Sequence, residues 1–185
     1  MDGYTCVRCL FCNTGREESV VQAIRANGWG RAIFPQRVRT IRHGREKNDE
    51  VLTPLLPGYV FVYSDQVVAR RDELLSLQHV IRVLTYVADG QDKLVGRDLE
   101  FADWLWRLDG RIGIMKALQV GDRIEIVDGV FKQLHGTITR MDKRQKTICV
   151  SLETEGSPKQ IWLAYEIVEK KDDEESAVTA EEKWK

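Results

Sequence analysis

The sequence lacks the features of a membrane or secreted protein. Its 185 residues contain no apolar run of the ~18 residues that a membrane helix requires. The first twenty residues also lack a basic stretch followed by an apolar one, the pattern of a secretory leader. We therefore expect a cytoplasmic protein that makes no contact with a membrane.

Motifs for catalysis and cofactor binding are missing too. The three histidines, His43, His79 and His135, show no metal-ligand spacing with one another. The chain also has neither a nucleophile motif nor a glycine loop of the kind that cradles phosphate. We predict that the protein is not an enzyme and needs no cofactor.

Cysteine is scarce, but three of the four cysteines lie close together. Cys6, Cys9 and Cys12 form a C-x2-C-x2-C run, a spacing typical of iron–sulfur ligands, although Arg16 occupies the position of the fourth cysteine. Cys149 lies in an apolar run, where a small hydrophobic residue suits a strand. We interpret the run as reduced thiols with no metal, and a metal cluster or redox sensor remains the alternative.

No sign of charge dominates the chain as a whole. Lys and Arg number 28 and Asp and Glu number 29, for a net charge of -1. The charges are unevenly placed, because residues 111–171 are basic and residues 172–185 are acidic. Within residues 31–47, Glu46 is the only acidic side chain among six basic ones. The near-neutral total therefore does not exclude a polyanionic partner.

Residues 1–110 read as an α+β domain. Strand patterns cover residues 4–12, 31–39, 59–63 and 80–87, with a loop or hairpin tip at 43–49. Helical patterns cover residues 19–27, 64–75 and 97–108. Five consecutive β-branched or aromatic residues at 59–63 predict a strand that is buried on both faces. We predict an antiparallel four-stranded sheet with packed helices.

The helical patterns stop at a Gly-rich break over residues 109–113. We assign residues 111–118 to a linker and residues 119–171 to a second domain. Five short strands are predicted there, at 123–127, 136–141, 147–152, 160–163 and 166–168, which implies a small five-stranded β-barrel. Residues 172–185 are too charged and too poor in apolar residues to fold alone, so we expect a disordered acidic tail.

Two segments carry a resemblance to a known family. Residues 56–62, LPGYVFV, resemble the signature of the NusG amino-terminal (NGN) domain. Residues 121–129, GDRIEIVDG, followed by Phe131 and Gly136-Thr137-Ile138, are similar to a KOW motif. The order and spacing of both modules cover the chain from about Val7 to Lys170. The resemblance implies an NGN domain followed by an SH3-like KOW barrel.

The family resemblance implies a monomeric transcription elongation factor without catalytic chemistry. Its NGN domain docks an apolar patch on the clamp helices of RNA polymerase. Carried onto this sequence, the polymerase-binding patch comprises Leu55, Leu56, Tyr59 and Phe61. The basic segment that would lie near upstream DNA comprises Arg37, Arg39, Arg42, Arg45 and Lys47.

One turn separates this chain from the housekeeping members of the family. Before Gly156, those members present apolar residues that bind a protein partner, either the helicase Rho or a ribosomal protein, whereas here the positions are Thr154 and Glu155. A carboxylate at a buried apolar contact is costly. The departure indicates a specialised paralogue.

Among specialised paralogues, the sequence is most similar to the LoaP group of processive antiterminators. The similarity lies in Leu10-Phe11, in residues 14–18 (TGREE), in residues 142–146 (DKRQK) and in residues 166–169 (EIVE). It implies recruitment by a hairpin in the nascent leader RNA, bound by the KOW domain. The implied RNA-binding residues are Lys132, His135, Arg140, Lys143, Arg144 and Lys146. The alternative is a general elongation or termination factor whose KOW domain binds a protein.

Overall fold

The computed structural model describes residues 4–43, 47–65, 70–86, 90–120, 123–127 and 136–171. The amino-terminal elements are β1 (Cys6–Cys12), α1 (Glu17–Ala26), β2 (Arg31–Ile33), β3 (Gln36–His43), β4 (Lys47–Pro54), β5 (Tyr59–Ser64), α2 (Arg71–Leu75), β6 (Val80–Val83) and α3 (Gly96–Arg107). The remaining strands are β7 (Arg111–Ile112), β8 (Met115–Val120), β9 (Arg123–Ile126), β10 (Gly136–Asp142), β11 (Thr147–Leu152) and β12 (Lys159–Lys171). No helix within these ranges is long and apolar enough to cross a membrane.

The amino-terminal part is built on a four-stranded sheet in the order β2-β5-β1-β6. Every neighbouring pair is antiparallel, which confirms the sheet predicted from the sequence. Val60 and Val62 of β5 join an apolar cluster with α1 and α2 on one face. Phe61 and Tyr63 join a second cluster with α3 on the other face. Strand β5 is therefore buried on both faces, as its continuous apolar sequence predicts.

A long hairpin projects beside this sheet. Strands β3 and β4 pair from Gln36 with Pro54 to His43 with Lys47, which confirms a hairpin around the polar segment at 43–49. Strand β7 pairs in parallel with the start of β3, so the chain that follows α3 returns to the base of the hairpin. The hairpin is thus tied at its base to the carboxyl-terminal part.

The carboxyl-terminal part is a curled five-stranded sheet in the order β10-β11-β12-β8-β9. Its curvature follows from the 13-residue β12, which pairs antiparallel with β11 through residues 159–164 and in parallel with β8 through residues 165–171. Alternate side chains of these strands point inward and are buried, including Ile148, Val150, Ile161 and Leu163. The curled sheet is consistent with the second β unit that the sequence predicts.

Two strand assignments in this unit were wrong. The segments 160–163 and 166–168, predicted as separate strands, belong to the single strand β12. The segment 115–120 forms β8, although residues up to 118 were assigned to a linker. Met115 and Ala117 are buried there, because alternation of apolar and polar residues places both on the inner face.

The turn that leads into β5 is held by a buried carboxylate. Glu17, the first residue of α1, is 3% exposed, and its Oε1 accepts a hydrogen bond of 2.7 Å from the Gly58 backbone N–H. Gly58 has a φ of 83°, and a Cβ there would lie 2.9 Å from the Cys12 carbonyl oxygen. Glycine is required because both the backbone conformation and the space exclude a side chain.

The two parts of the chain are joined through the amino terminus of α3. Glu155 Oε1 accepts a hydrogen bond of 2.9 Å from the Arg97 backbone N–H, and the Glu155 N–H donates to Asp98 Oδ1 at 3.4 Å. The Arg97 guanidinium lies 3.7 Å from the Glu153 carboxylate. Gly96 has a φ of 51°, and a Cβ there would overlap the Glu155 carboxylate. An anion at a helix amino terminus satisfies open backbone donors and interacts favourably with the helix dipole.

Replacing Glu17 with Ala should lower the free energy of unfolding by about 1–3 kcal/mol, because the buried Gly58 N–H loses its acceptor. Urea denaturation measures the change. Glu17→Gln keeps an oxygen acceptor and should retain most of the stability. The neighbouring exposed residue provides a matched control, since Glu18→Ala should change stability by less than about 0.5 kcal/mol. Equal losses in the Ala variants of Glu17 and Glu18 would contradict this role for Glu17.

Replacing Glu155 with Ala should expose the first turn of α3. We expect amide hydrogen exchange at Arg97 to accelerate by about twofold to fivefold, since the stabilising anion is lost. Glu153→Ala is the matched control, because Glu153 contacts the Arg97 guanidinium and not its backbone N–H. Unchanged exchange in the Glu155 variant would show that the contact does not persist in solution.

Candidate functional site

The four residues predicted to bind polymerase surround the turn that precedes β5. Leu55 and Phe61 are buried, at 6% and 5% exposure, whereas Leu56 and Tyr59 are half-buried. The Phe61 ring packs edge-on against Phe101 of α3 with 5.8 Å between centroids. Leu56 and Tyr59 therefore carry the accessible surface of this patch, and Leu55 and Phe61 support it from below.

Two residues that the sequence analysis does not assign extend the surface beside Tyr59. Phe11 is the register partner of Tyr59 on β1, and their ring centroids lie 5.3 Å apart. Arg82 of β6 pairs with Phe11 and places its guanidinium 5.3 Å from the Phe11 centroid. The three side chains form a row across β5, β1 and β6. Phe11 belongs to a predicted strand, but only the pairing of the strands shows which neighbours it has.

The residues predicted to lie near DNA belong to the β3–β4 hairpin. Arg39 is exposed on β3, and Arg45 lies outside the described residues. Near the tip of the hairpin, the backbone of Arg42 pairs with that of Asn48, and the backbone of Lys47 pairs with that of His43. Arg37 differs from the others, because its guanidinium donates a hydrogen bond to the Trp162 carbonyl oxygen of β12. Burial lowers the pKa of Arg37, and the neighbouring Arg39 charge lowers it further. Arg37 thus connects the hairpin to the carboxyl-terminal sheet.

Four of the residues predicted to bind RNA lie on or beside the β10–β11 turn. Arg140, Lys143, Arg144 and Lys146 are all exposed. The Gln145 N–H donates to Asp142 Oδ1 at 2.8 Å, and the Lys146 carbonyl accepts from the Tyr165 N–H at 2.9 Å. These bonds tie the backbone of the turn to β10 and β12, and its cationic side chains are exposed. Lys132 and His135 lie outside the described residues.

The cysteine run does not form a site within the described residues. Cys6, Cys9 and Cys12 are free and buried in β1, and Cys149 is free and buried in β11. Cys9 faces the cluster with α3 while Cys12 faces the cluster with α1, because a spacing of three reverses direction in a strand. Burial raises the pKa of Cys9 and raises that of Cys12 to about 11. Among the described residues, no group of three or more His, Cys, Asp or Glu side chains is placed to hold a metal ion.

Thr154 and Glu155 both make hydrogen bonds within the chain. The Glu155 carboxylate accepts from the α3 terminus, and the Thr154 hydroxyl donates to the Ser157 carbonyl at 2.9 Å. The carboxylate that departs from the apolar pattern of the housekeeping members therefore has an intramolecular partner.

Comparison with known proteins found a match to the amino-terminal part. A family model described as transcription termination factor NusG matches residues 8–96. The chain is also similar to a solved structure of NusG from Thermotoga maritima, with 22% identity and a TM-score of 0.45, over 86% of this chain and 93% of that one. No curated protein matches the sequence. The match to the NusG family model therefore covers residues 8–96, the part of the chain that holds most of the central sheet and the polymerase-binding candidates.

Proposed function

We propose that this protein is a specialised NusG-type factor that promotes processive antitermination of selected operons. Its amino-terminal domain binds RNA polymerase, and its carboxyl-terminal β unit, an SH3-like KOW barrel, binds the nascent leader RNA that recruits it. The observation that carries the proposal is the exposed, hydrogen-bonded turn with Lys143, Arg144 and Lys146. Cationic side chains held in solvent bind phosphates, and these contacts supply affinity for RNA.

The polymerase contact is supported by the aromatic surface at the end of the central sheet. Tyr59 and Leu56 are half-buried, and both pack against the apolar core. The turn before Tyr59 is fixed by the bond between Glu17 and Gly58. An aromatic residue on a preorganised apolar base is the usual form of a binding hot spot. Proteins of the NusG family generally bind RNA polymerase, which fits this assignment.

The alternative is a general elongation or termination factor whose carboxyl-terminal unit binds a protein. Such a factor would use apolar residues at the 154–155 turn, but here Glu155 is bonded to α3. Mapping transcript 3′ ends in the host with and without the gene separates the two functions. Premature ends confined to one or a few long operons would support antitermination, whereas changes across most genes would support the general factor.

Replacing Tyr59 with Asp should weaken binding to RNA polymerase by at least about tenfold, because a charge would enter the apolar contact. Tyr59→Phe, which keeps the ring, is the control and should bind nearly as the parent does. Binding of purified polymerase, measured by biolayer interferometry, tests the pair of variants. Equal affinities for the Asp variant and the parent would place the polymerase contact elsewhere.

Removing Lys143, Arg144 and Lys146 together by Ala substitution should reduce RNA affinity and leave thermal stability unchanged, since all three are exposed. The slope of log affinity against log salt should become shallower by about 2, as three phosphate contacts are lost. The matched control removes the same charge from the helical side through Arg16, Arg25 and Arg71, which are also exposed. Similar slopes in the two triple variants would refute a specific role for the turn.

A further inference from the structure

The outer face of the carboxyl-terminal sheet presents a tryptophan to solvent. Trp162 of β12 is 36% exposed, whereas its neighbours Ile161 and Leu163 are 1% exposed and face the core. Alternation along the strand therefore directs Trp162 outward. A tryptophan in this position exposes apolar surface that neither the core nor the central sheet uses.

The register of the sheet defines what surrounds Trp162. Trp162 pairs with Cys149, and Cys149 pairs with Arg140, which places Arg140 on the same face two strands away. Two strand spacings correspond to about 10 Å. The row on one side consists of Gln160, Ser151 and Thr137, and the row on the other side consists of Ala164, Thr147 and Asp142. Asp142 is the one acidic residue in these three rows, and its carboxylate accepts a hydrogen bond of 2.8 Å from the Gln145 N–H.

The β3–β4 hairpin brings a second cation toward the other edge of this face. Arg37 donates to the Trp162 carbonyl oxygen, so β3 lies against the edge of β12 that β11 does not occupy. Arg39 follows two residues later on the same face of β3 and is exposed. Trp162 is thus flanked by Arg140 across β11 and by the Arg37 guanidinium at the opposite edge of β12, with Arg39 two residues further along β3.

We propose that Trp162 is a stacking platform for an unpaired RNA base, with Arg140 and Arg39 contacting the flanking phosphates. The inference rests on the proposed function, because it specifies a single-stranded nucleotide of the leader RNA as the ligand of this face. Aromatic side chains on a sheet stack unpaired bases in several RNA-binding folds, and neutral polar neighbours can hydrogen-bond base edges. Gln160 supplies both a donor and an acceptor for this purpose.

The surroundings of Trp162 favour RNA over a protein partner. A protein hot spot is normally an aromatic residue set among other apolar side chains. Here the fully exposed neighbours on the same face are Gln160, Thr137 and Arg140, which are polar or cationic, while Ala164 and Asp142 of the other adjacent row are half-buried. Positive charge beside an exposed aromatic ring matches the alternation of phosphate and base along a single strand.

The test uses the full-length chain and two labelled RNA probes. One probe is a hairpin with a stem of about twelve base pairs and a loop of about six adenosines, and the other is a blunt duplex with the same stem, chosen because only the loop offers unpaired bases. Fluorescence anisotropy at several salt concentrations gives affinity and salt slope for the parent, Trp162→Ala and Trp162→Phe. Thermal melting of each variant confirms that it folds.

Trp162→Ala should weaken binding to the looped hairpin by about tenfold, since stacking on one base contributes a factor between about five and a hundred. Its affinity for the duplex and its salt slope should stay unchanged, because stacking releases no counterions. Trp162→Phe should keep most of the affinity for the loop. Arg140→Ala should instead make the slope shallower by about 0.7, the value for one phosphate on a single strand.

The outcomes separate this inference from the proposed function. If Trp162→Ala binds the looped hairpin as tightly as the parent, while the variant lacking Lys143, Arg144 and Lys146 binds weakly, the stacking platform is refuted and RNA recruitment stands. If the parent binds neither probe, RNA recruitment fails together with the platform. If Trp162→Ala loses affinity for RNA polymerase and not for RNA, Trp162 is a protein contact and the inference is overturned.

Discussion

Burial of β5 on both of its faces is the constraint on which the rest of the molecule depends. Val60 and Val62 hold α1 and α2 on one side, and Phe61 and Tyr63 hold α3 on the other. The strand begins at Gly58, where the Glu17 carboxylate fixes the backbone. The proposed polymerase-binding surface lies at that same end, so its shape is set by the core. The same packing positions the amino terminus of α3, where the Arg97 N–H donates a hydrogen bond to the Glu155 carboxylate.

The order of apolar and polar residues along the sequence predicted the central sheet and most of the strands. In those elements the residue types within a short segment are enough to indicate which side chains are buried. The strongest strand, 59–63, needed only its β-branched and aromatic content. The pattern could not predict that β12 is one strand, because its two halves exchange pairing partners from β11 to β8. It also could not separate the buried Phe61 from the accessible Tyr59, since both are aromatic and only packing on α3 distinguishes them.

The limits of prediction from local sequence patterns are clearer for charged residues. Arg37 and Arg39 look equivalent in a basic segment, yet Arg37 is half-buried and bonded to the Trp162 carbonyl while Arg39 is exposed. Glu155 reads as a lost apolar contact, but it has gained a partner at α3, more than fifty positions away in sequence. These long-range partners depend on the tertiary arrangement, which spacing along the chain does not encode. The position of Trp162 beside Arg140 and Gln160 likewise follows from the register of the strands, which the sequence alone does not show.

The parallel pairing of β12 with β8 also governs the order in which the chain completes itself during synthesis. Residues 165–171 are the last to emerge from the ribosome among those described, and β8 at 115–120 has no partner on that edge until they do. All four strands of the central sheet, and the helix α3 that covers one of its faces, precede residue 108, so this part can form earlier, because domains generally fold as units during translation. Pairing β12 with β8 joins residues 50 positions apart in the sequence, such as Met115 and Tyr165. Such long-range pairing is slow because the entropy of closing the loop is lost before the contacts form. We therefore expect a nascent chain to complete its central sheet first and to close its carboxyl-terminal sheet only after residues 165–171 have emerged.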